Sequence, residues 1–475
     1  MSLPAVRPRA ALPRLRPAAA ARRAGAWART PYALILLGYV LLRLGGFSGV
    51  RTLVYPDTAG YLDVASRSLF SLDFWAGARP PALPLLYKVL PDSDSARAWG
   101  QFAVSVVCWP LLAGAVARCL RPGAYRYLAF GAVLLFSMTI PIIQWDRVLL
   151  SESLSISLTA LVLASWLELV RAPRPAMVVG VLAASLLWVF ARDSNGVVAL
   201  TIVPFAIVWA VWPGHRWRVW PLVLAGGLAA IFATSFLATG TEAAKLRRTE
   251  RPILHVIGRR VLANPAETRW FERHGMPKPP PRVRQYRRSL AGIVEGSIPS
   301  DPPTNRFIDW AVHHGRSVLV RYLLAHPWRT VRQTFDNRKH LLSGVTVGYK
   351  APNQRRVLPD TIDALVYPRD VQSLYFWLVL VGFGAAAAWR RRGALRTWLV
   401  PVGALALQVP HAIVVYQGDT LEIPRHAILV AVTARLSILL LALFALGRLV
   451  EWGRRPLAEA PTEEGSHKTP EPAPV

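Results

Sequence analysis

The chain has 475 residues, of which 53% are hydrophobic and only 17% are charged. This balance excludes an ordinary soluble globular protein and is typical of a polytopic membrane protein. The formal net charge is +29, but no basic folded domain with interleaved aromatic residues is visible. No nucleic-acid partner is therefore predicted, and the lipid bilayer is the expected anionic neighbour.

The N-terminal residues 1–30 are rich in arginine and proline and predict a disordered basic cytoplasmic arm, followed by an uncleaved first span. Ten apolar segments are each near the roughly 20 residues that a bilayer requires. They cover 31–47, 99–119, 127–143, 153–170, 176–191, 197–213, 219–238, 373–389, 397–416 and 427–447. The expected fold class is an all-α polytopic membrane protein with a transmembrane core over 31–238, a first outer loop over 48–98, and three last spans over 373–450.

Four short loops carry arginines on the same side as the N terminus if the chain crosses the membrane ten times. These arginines are Arg121 and Arg126, Arg171 and Arg174, Arg216 and Arg218, and Arg390 to Arg392 with Arg396. The positive-inside rule therefore places both termini in the cytoplasm. The five opposite loops, over 48–98, 144–152, 192–196, 239–372 and 417–426, are expected outside.

The loop over 239–372 carries 24 basic and 11 acidic residues, a net charge of +13. Two stretches in it, over 255–275 and 316–342, predict helices separated by proline-rich segments. The loop is interpreted as a basic extracytoplasmic helical domain that lies on the membrane. The last residues, 451–475, predict a disordered cytoplasmic tail.

The two cysteines, Cys108 and Cys119, lie in one apolar segment. A helix separates residues at this spacing by roughly 16 Å along its axis, which is beyond the reach of a disulfide.

Asp57 follows the first span in the stretch "YPDTAGYL" and precedes a predicted helix over 58–70. Two roles are open for it, which are not exclusive: an N-cap that accepts a backbone N–H, and a base held at the membrane surface. Tyr61 follows in the same segment. Asp63 is predicted to be a solvated or structural residue.

Two roles are open for each of two arginines in the outer loops. Arg79, in "GARPPALPLLYKVL", could bind a phosphate or extend its charge to a lipid headgroup. Arg192, in "FARDSNG", could bind a phosphate bidentately, and Asp193 is the alternative partner for its charge.

The fourth span begins with Glu152 in "SESL", where an acidic residue could simply act as a helix cap. Just before it, Asp146 and Arg147 could form a local ion pair. The last outer loop, "VYQGDTLEIPRHAIL", adds four candidates: Asp419, Glu422, Arg425 and His426.

The shared sidedness of these residues is the strongest functional indication. Carboxylates and arginines from separate loops would meet on one membrane face, which suits a reaction between a lipid-phosphate donor and an acceptor hydroxyl. A proton-coupled transporter would place acidic residues near the bilayer midplane instead. Two alternatives are kept, a transporter or flippase of lipid-linked sugars without transferase activity, and an envelope scaffold without catalysis.

Taken together, "PDTAGYL", "RPPALPLLYKVL", "SESL", the arginine-led turn and "PRHAIL" resemble the motifs of the GT-C superfamily of membrane glycosyltransferases. The resemblance is to the protein mannosyltransferases and the actinobacterial arabinosyl- and mannosyltransferases, over about residues 30–240 and 400–447. It implies an inverting transfer of a sugar from a polyprenyl-phosphate donor to an envelope glycan, lipid or protein, outside a bacterial plasma membrane.

The resemblance also implies roles for individual residues. Asp57 matches the acid that serves as base, Arg192 and Arg425 match positions that meet the donor phosphate, and Arg79 joins them. Supporting or substrate-binding positions are Tyr61, Glu152, Asp193, Asp419, Glu422 and His426. The chain has Asp-Thr where a paired Asp-Glu is common, so no metal ligand set is predicted. A divalent cation such as Mg²⁺ or Mn²⁺ is left open without support, because a single carboxylate binds a hard cation poorly.

Overall fold

The computed structural model describes residues 30–211, 219–240, 250–344, 348–389 and 395–453. In these ranges the regular secondary structure is helical, apart from an isolated parallel bridge between Leu53 and Val148. Nearly all of the predicted arm (1–30) and tail (451–475) lies outside the described residues. So do the predicted loop arginines Arg216, Arg218 and Arg390 to Arg392.

Each of the ten predicted spans coincides with apolar helical structure. Six stretches are long and apolar enough to cross a bilayer, and a bent pair of helices makes up to seven. The six lie in Asp94–Cys119, Ser151–Arg171, Asp193–Val211, Val219–Gly240, the run of Leu395–Trp398, Leu399–Ala406 and Gln408–Gly418, and Ile428–Gly453. Three shorter apolar helices occupy Pro31–Phe47, Pro175–Val189 and Val371–Trp389. These are the helices of a membrane protein, while the count of ten spans and the orientation stay predictions.

The third predicted span is bent rather than straight. Helix Ala124–Ser137 ends, and a second helical stretch over Ile140–Ile143 and Gln144–Arg147 continues at an angle of 54°. Pro141 lies in the first turn of this second stretch, where its missing N–H and fixed φ favour a new start. The bend carries residues 144–150 back into the bundle, where all of them are buried.

A buried ion pair anchors that returning segment to the first helix. Arg43 donates to Asp146 at 2.7 Å and to the Ser137 carbonyl at 2.7 Å, and both charged side chains are almost fully buried. The predicted local pair between Asp146 and Arg147 is therefore wrong. Arg147 instead donates to the Phe47 carbonyl at 2.8 Å. The buried Asp146 carboxylate is thus paired with Arg43 of the neighbouring helix and not with the adjacent arginine, and a buried charge needs such a partner.

Lipid-facing and buried sides are distinct on the first helix. Leu34, Leu37 and Leu41 are 70%, 56% and 59% exposed, whereas Tyr39 and Arg43 are buried. In water such a leucine stripe would be costly, but it suits hydrocarbon. Asp94–Cys119 packs along Ser151–Arg171, and Val371–Trp389 packs along Ile428–Gly453, within one large apolar core.

The first outer loop contains three short helices, Pro56–Ser66, Leu72–Trp75 and Ala82–Lys88. Residues 250–372 form many more: Glu250–Val256, Ile257–Val261 (a π-helical turn), Pro265–Arg273, Pro281–Gln285, Arg287–Ser289, Ala291–Val294, Pro302–His313, Gly315–Ala325, Pro327–Asp336, Arg338–Leu342 and Asp360–Val366. The helices from Glu250–Val256 to Gly315–Ala325 enclose a separate apolar core around Leu254, Phe271 and Phe307. The single helices predicted over 255–275 and 316–342 are wrong, because Pro265 and Pro327 each begin a new helix.

Candidate functional site

Asp57 lies between two guanidinium groups at the end of the helical bundle. Its Oδ1 accepts from Arg79 Nη2 at 2.7 Å, and its Oδ2 accepts from Arg425 Nη2 at 2.9 Å. Its side chain is 30% exposed, so solvent or a ligand can still reach it. Gly60 contributes to this geometry, since a Cβ at that position would lie 2.9 Å from Arg79 Nε. The small residue thus lets Arg79 lie across the helix towards Asp57.

The expected N-cap role of Asp57 is wrong. The helix spans Pro56–Ser66, not 58–70, and its N-cap is Tyr55. The Tyr55 N–H donates to the Thr58 hydroxyl at 3.0 Å, so Thr58 supplies the capping bond. Thr58 also donates to the Leu149 carbonyl at 3.0 Å, which fixes the helix to the returning segment. Asp57, in the first turn, is therefore available for its two arginines.

Arg425 connects three carboxylates from three different parts of the chain. Its Nε donates to Glu152 at 2.9 Å, Nη2 to Asp57, and Nη1 to Glu422 at 2.7 Å and to the Tyr349 hydroxyl at 3.1 Å. Only 8% of the Arg425 side chain is exposed. Four of the five guanidinium N–H groups are therefore engaged.

The loop that precedes Arg425 holds an unusual backbone. Glu422 has φ +50° and ψ +37°, the left-handed region that residues other than glycine seldom adopt. Its carboxylate accepts from the Tyr349 hydroxyl as well as from Arg425. Such strain persists where surrounding contacts hold the residue, and it is concentrated at functional sites.

Arg192 and Glu152 form the buried side of the cluster. Arg192 Nη2 lies 3.5 Å from Glu152 Oε1 and 3.1 Å from His426 Nδ1. Glu152 is fully buried, and Arg192 is 11% exposed. Glu152 Oε2 and Arg192 Nη1 are both buried and, among the described residues, make no hydrogen bond. The expected capping bond is wrong, since Leu150 is the N-cap and no side chain caps this helix, but Glu152 lies in the first turn, where its charge suits the helix dipole.

Asp419 joins the cluster to the outer helices. Its carboxylate lies 3.7 Å from His426 Nε2 and 3.6 Å from His255 Nδ1, and it accepts from two backbone N–H groups of its own loop. A second link is made nearby by Arg260, which donates to the Tyr416 carbonyl at 2.7 Å. The last outer loop is thus held from both sides.

The electrostatics of the exposed part of the cluster are set by burial and by the arginines. Burial alone would raise the pKa of Asp57, but the Arg79 and Arg425 guanidiniums outweigh it and hold that pKa below its usual value. Burial, together with the positive charge of the neighbouring Arg192, lowers the pKa of His426 to about 4. At neutral pH, Asp57 is therefore an anion and His426 is neutral.

The remaining predicted residues lie at the edge of the cluster. Tyr61 is buried with its ring centroid 5.3 Å from the Arg79 guanidinium carbon. Asp193 begins helix Asp193–Val211 and is exposed. Asp63 is exposed and pairs with Arg67 at 3.2 Å, and it makes no ion pair with the arginines of the cluster, as expected for a solvated residue.

Two aromatic residues of the site were not predicted. The ring of Tyr349 packs against that of Tyr55 at a tilt of 35°, with centroids 4.6 Å apart, and its hydroxyl bonds to Arg425 and Glu422. It comes from the end of the outer loop, in a stretch with no motif of its own. Tyr55 does have a signal, because it adjoins the quoted first-loop motif.

Metal binding would need several His, Cys, Asp or Glu side chains close together in the part of the chain that the structure describes. No group of three or more His, Cys, Asp or Glu side chains there could hold an ion. The carboxylates that converge on Arg425 are directed at its nitrogens.

A likeness to known proteins is found among solved structures. No family model matches the sequence, and no curated protein matches it. The chain is similar to the solved structure of the oligosaccharyltransferase from Archaeoglobus fulgidus in its apo form, with a TM-score of 0.41 and 12% sequence identity. The likeness covers 89% of this chain and 52% of that protein, so the chain spans about half its length. At this similarity, the likeness does not bear on the activity.

Proposed function

We propose that the protein is a membrane glycosyltransferase that moves a sugar from a polyprenyl-phosphate donor to a hydroxyl of a cell-envelope acceptor, with inversion. The observation that carries this proposal is the position of Asp57, a partly exposed carboxylate between two arginines at the end of an apolar helical bundle. The GT-C-like motifs support it, since all five contribute residues to this one cluster.

The proposed location is the outer face of a bacterial plasma membrane. The arginine distribution supports this orientation, because the site loops lie opposite the arginine-rich short loops if there are ten spans. Donors of this class have a polyprenyl chain that stays in the bilayer, so a site at the end of the spans suits them.

The donor phosphate needs cationic N–H groups that are not already used. Arg192 offers its buried Nη1, which makes no hydrogen bond to the described residues. Arg79 is 32% exposed and holds Asp57 through Nη2. A guanidinium binds a phosphate through two parallel bonds, so these two arginines can hold the leaving group.

Arg425 has a different part in this proposal. With four N–H groups on Asp57, Glu152, Glu422 and Tyr349, it first orders the carboxylates. A phosphate that arrives beside it would compete with Asp57 for Nη2. Donor binding would thereby weaken the pairing that lowers the pKa of Asp57.

The proposed transfer is a single displacement. The acceptor oxygen forms a bond to the anomeric carbon, the bond from that carbon to the phosphate oxygen breaks, and polyprenyl phosphate leaves with the electron pair. The acceptor proton passes to the Asp57 carboxylate and from there to solvent. Because a rise in its pKa makes a carboxylate a better base, release of Asp57 from the arginines would favour this step.

The remaining predicted residues support the substrates in this proposal. Glu152 and His426 orient Arg192, Asp419 and Glu422 hold the last outer loop, and Tyr61 packs beneath Arg79. Asp193 lies next to Arg192, where it would face the acceptor.

The test is product analysis on the purified full-length protein in nanodiscs with a radiolabelled polyprenyl-phosphate sugar and a cell-envelope extract as acceptor. A transferase releases free polyprenyl phosphate and labels the acceptor. Asp57→Asn should abolish both, whereas Asp63→Asn should retain near wild-type turnover because Asp63 lies on the same helix but outside the cluster.

Two outcomes would contradict the proposal. Wild-type turnover by a folded Asp57→Asn variant would exclude Asp57 as the base. Movement of the labelled lipid between leaflets with no release of polyprenyl phosphate, across donors of several sugars, would identify a flippase instead. Gel filtration and thermal unfolding of both variants establish that the comparison concerns folded protein.

A further inference from the structure

Residues 250–372 are called the outer region here, and an exposed apolar strip follows two of its consecutive helices, Gly315–Ala325 and Pro327–Asp336. Its members are large hydrophobic side chains that lie outside the apolar core of the neighbouring helices. The strip consists of Val320 (49% exposed), Leu324 (75%), Trp328 (77%), Val331 (40%) and Phe335 (58%). Spacings of three and four residues place these side chains on one side of each helix.

The strip is directed away from the rest of the outer region. On the helix Pro327–Asp336, Arg329 and Gln333 both donate to the buried Glu267 at 2.9 Å. At 100° per residue, these two residues lie about 150° around the helix from the centre of the apolar side. One face of the helix therefore holds the outer region, and nearly the opposite face carries Trp328 and Phe335.

The helix also lies at the level where a membrane helix ends. Asn337, just after it, donates to the Tyr416 hydroxyl at 2.8 Å, and Gln417 lies against its Thr330 carbonyl at 3.5 Å. Tyr416 and Gln417 are at the end of helix Gln408–Gly418, where the predicted span stops at residue 416. A helix with an exposed apolar face at the end of a span suits the interface between headgroups and hydrocarbon.

The charges beside the strip indicate which membrane surface it fits. Arg316, Arg321, Arg332 and Lys339 are all exposed on the same two helices and the segment that follows. Asp336 is the exposed acidic residue of these helices, and it lies 4.0 Å from Arg332. An apolar face flanked by cations matches hydrocarbon bordered by anionic headgroups.

We propose that the helices Gly315–Ala325 and Pro327–Asp336 insert the strip into the outer leaflet and bind anionic lipid headgroups through their flanking cations. The contact anchors the outer region to the bilayer beside the last outer loop, which carries Arg425. It does not depend on the transferase activity, so either proposal can fail alone.

The test is the depth of a spin label in nanodiscs that hold one full-length chain. Cys108 and Cys119 are changed to Ala, and one cysteine is added by Trp328→Cys or, separately, Phe335→Cys. Leu37→Cys on the first helix is the lipid-exposed reference, and Asp309→Cys, on helix Pro302–His313 with a side chain 74% exposed, is the aqueous reference.

For each label, the ratio of its accessibility to oxygen to its accessibility to a water-soluble nickel complex measures how deep it lies in the bilayer. The ratio at 328 and at 335 should be several-fold above that at 309 and should approach that at 37. A ratio equal to that at 309 would overturn the insertion, and one chain per disc excludes protection by a second copy. In phosphatidylcholine with phosphatidylglycerol the label should lie deeper than in phosphatidylcholine alone. The same depth in both, or an unchanged response in the Arg321→Gln and Arg332→Gln double variant, would overturn the anionic headgroup contact.

Discussion

Arg425→Gln is the perturbation that tests the organisation of the site most severely. It removes the 2.9 Å partner of Glu152, a carboxylate with no solvent exposure. Removal of one partner from a buried ion pair costs about 3–5 kcal/mol, because a charge is left uncompensated. Arg192 remains at 3.5 Å from the same oxygen, so the expected loss of unfolding free energy is at the lower end, about 3 kcal/mol.

The pairing itself can be separated from other effects of the substitution. In the Arg425→Gln background, Glu152→Gln removes the charge that has lost its partner, so it should cost little or even stabilise the protein. We therefore expect the double variant to be more stable than the sum of the single losses predicts, with a coupling of about 1–3 kcal/mol.

The assay is reversible unfolding in mixed detergent micelles for the four proteins of the cycle. A matched cycle uses Asp63→Asn and Arg67→Gln, an exposed pair at 3.2 Å for which the coupling should be about 0.5 kcal/mol or less. Additive losses at Arg425 and Glu152, within about 0.5 kcal/mol, would refute the view that Arg425 holds the buried carboxylate.

Three further predictions concern charge. Arg79→Gln removes one of the two cations that lower the pKa of Asp57, so its pKa should rise and the acidic limb of the pH–rate profile should move to higher pH. Burial holds the pKa of His426 near 4, so between about pH 6.5 and pH 4 the unfolded chain binds a proton that the native state does not. The free energy of unfolding should therefore fall as the pH drops through this range. Thermal unfolding of His426→Asn should show a smaller fall. Asp146→Ala leaves Arg43 buried without its carboxylate and should cost about 3–5 kcal/mol, whereas Asp309→Ala, at an exposed carboxylate, should stay within about 0.5 kcal/mol.

The transmembrane helices were accessible to sequence reasoning because they depend on local composition. A run of apolar residues must form its hydrogen bonds internally in hydrocarbon, so it becomes a helix whatever its neighbours are. The first predicted span, 31–47, coincides with helix Pro31–Phe47. In the outer region this rule gives no help. A pattern of apolar residues that continues through Pro265 and Pro327 predicts one helix, whereas each proline begins a new one.

The partners of the charged residues depend on contacts between distant parts of the chain. Arg425 and Asp57 are 368 residues apart, and Arg43 and Asp146 are 103 apart. Sidedness indicated which residues could meet but not that Arg425 would be the common partner. Tyr349 was missed for the same reason, since its role exists only once the outer loop is folded beside Arg425.

The position of the donor phosphate is the most direct test of the central claim. A cryo-EM structure of the full-length protein in nanodiscs, bound to a non-hydrolysable polyprenyl phosphonate sugar, locates the phosphorus atom. We predict that its oxygens lie within hydrogen-bond distance of Arg192 Nη1 and Arg79, with the anomeric carbon facing Asp57. A phosphonate that contacts neither arginine, or a sugar on the far side of Arg425 from Asp57, would contradict the proposed site.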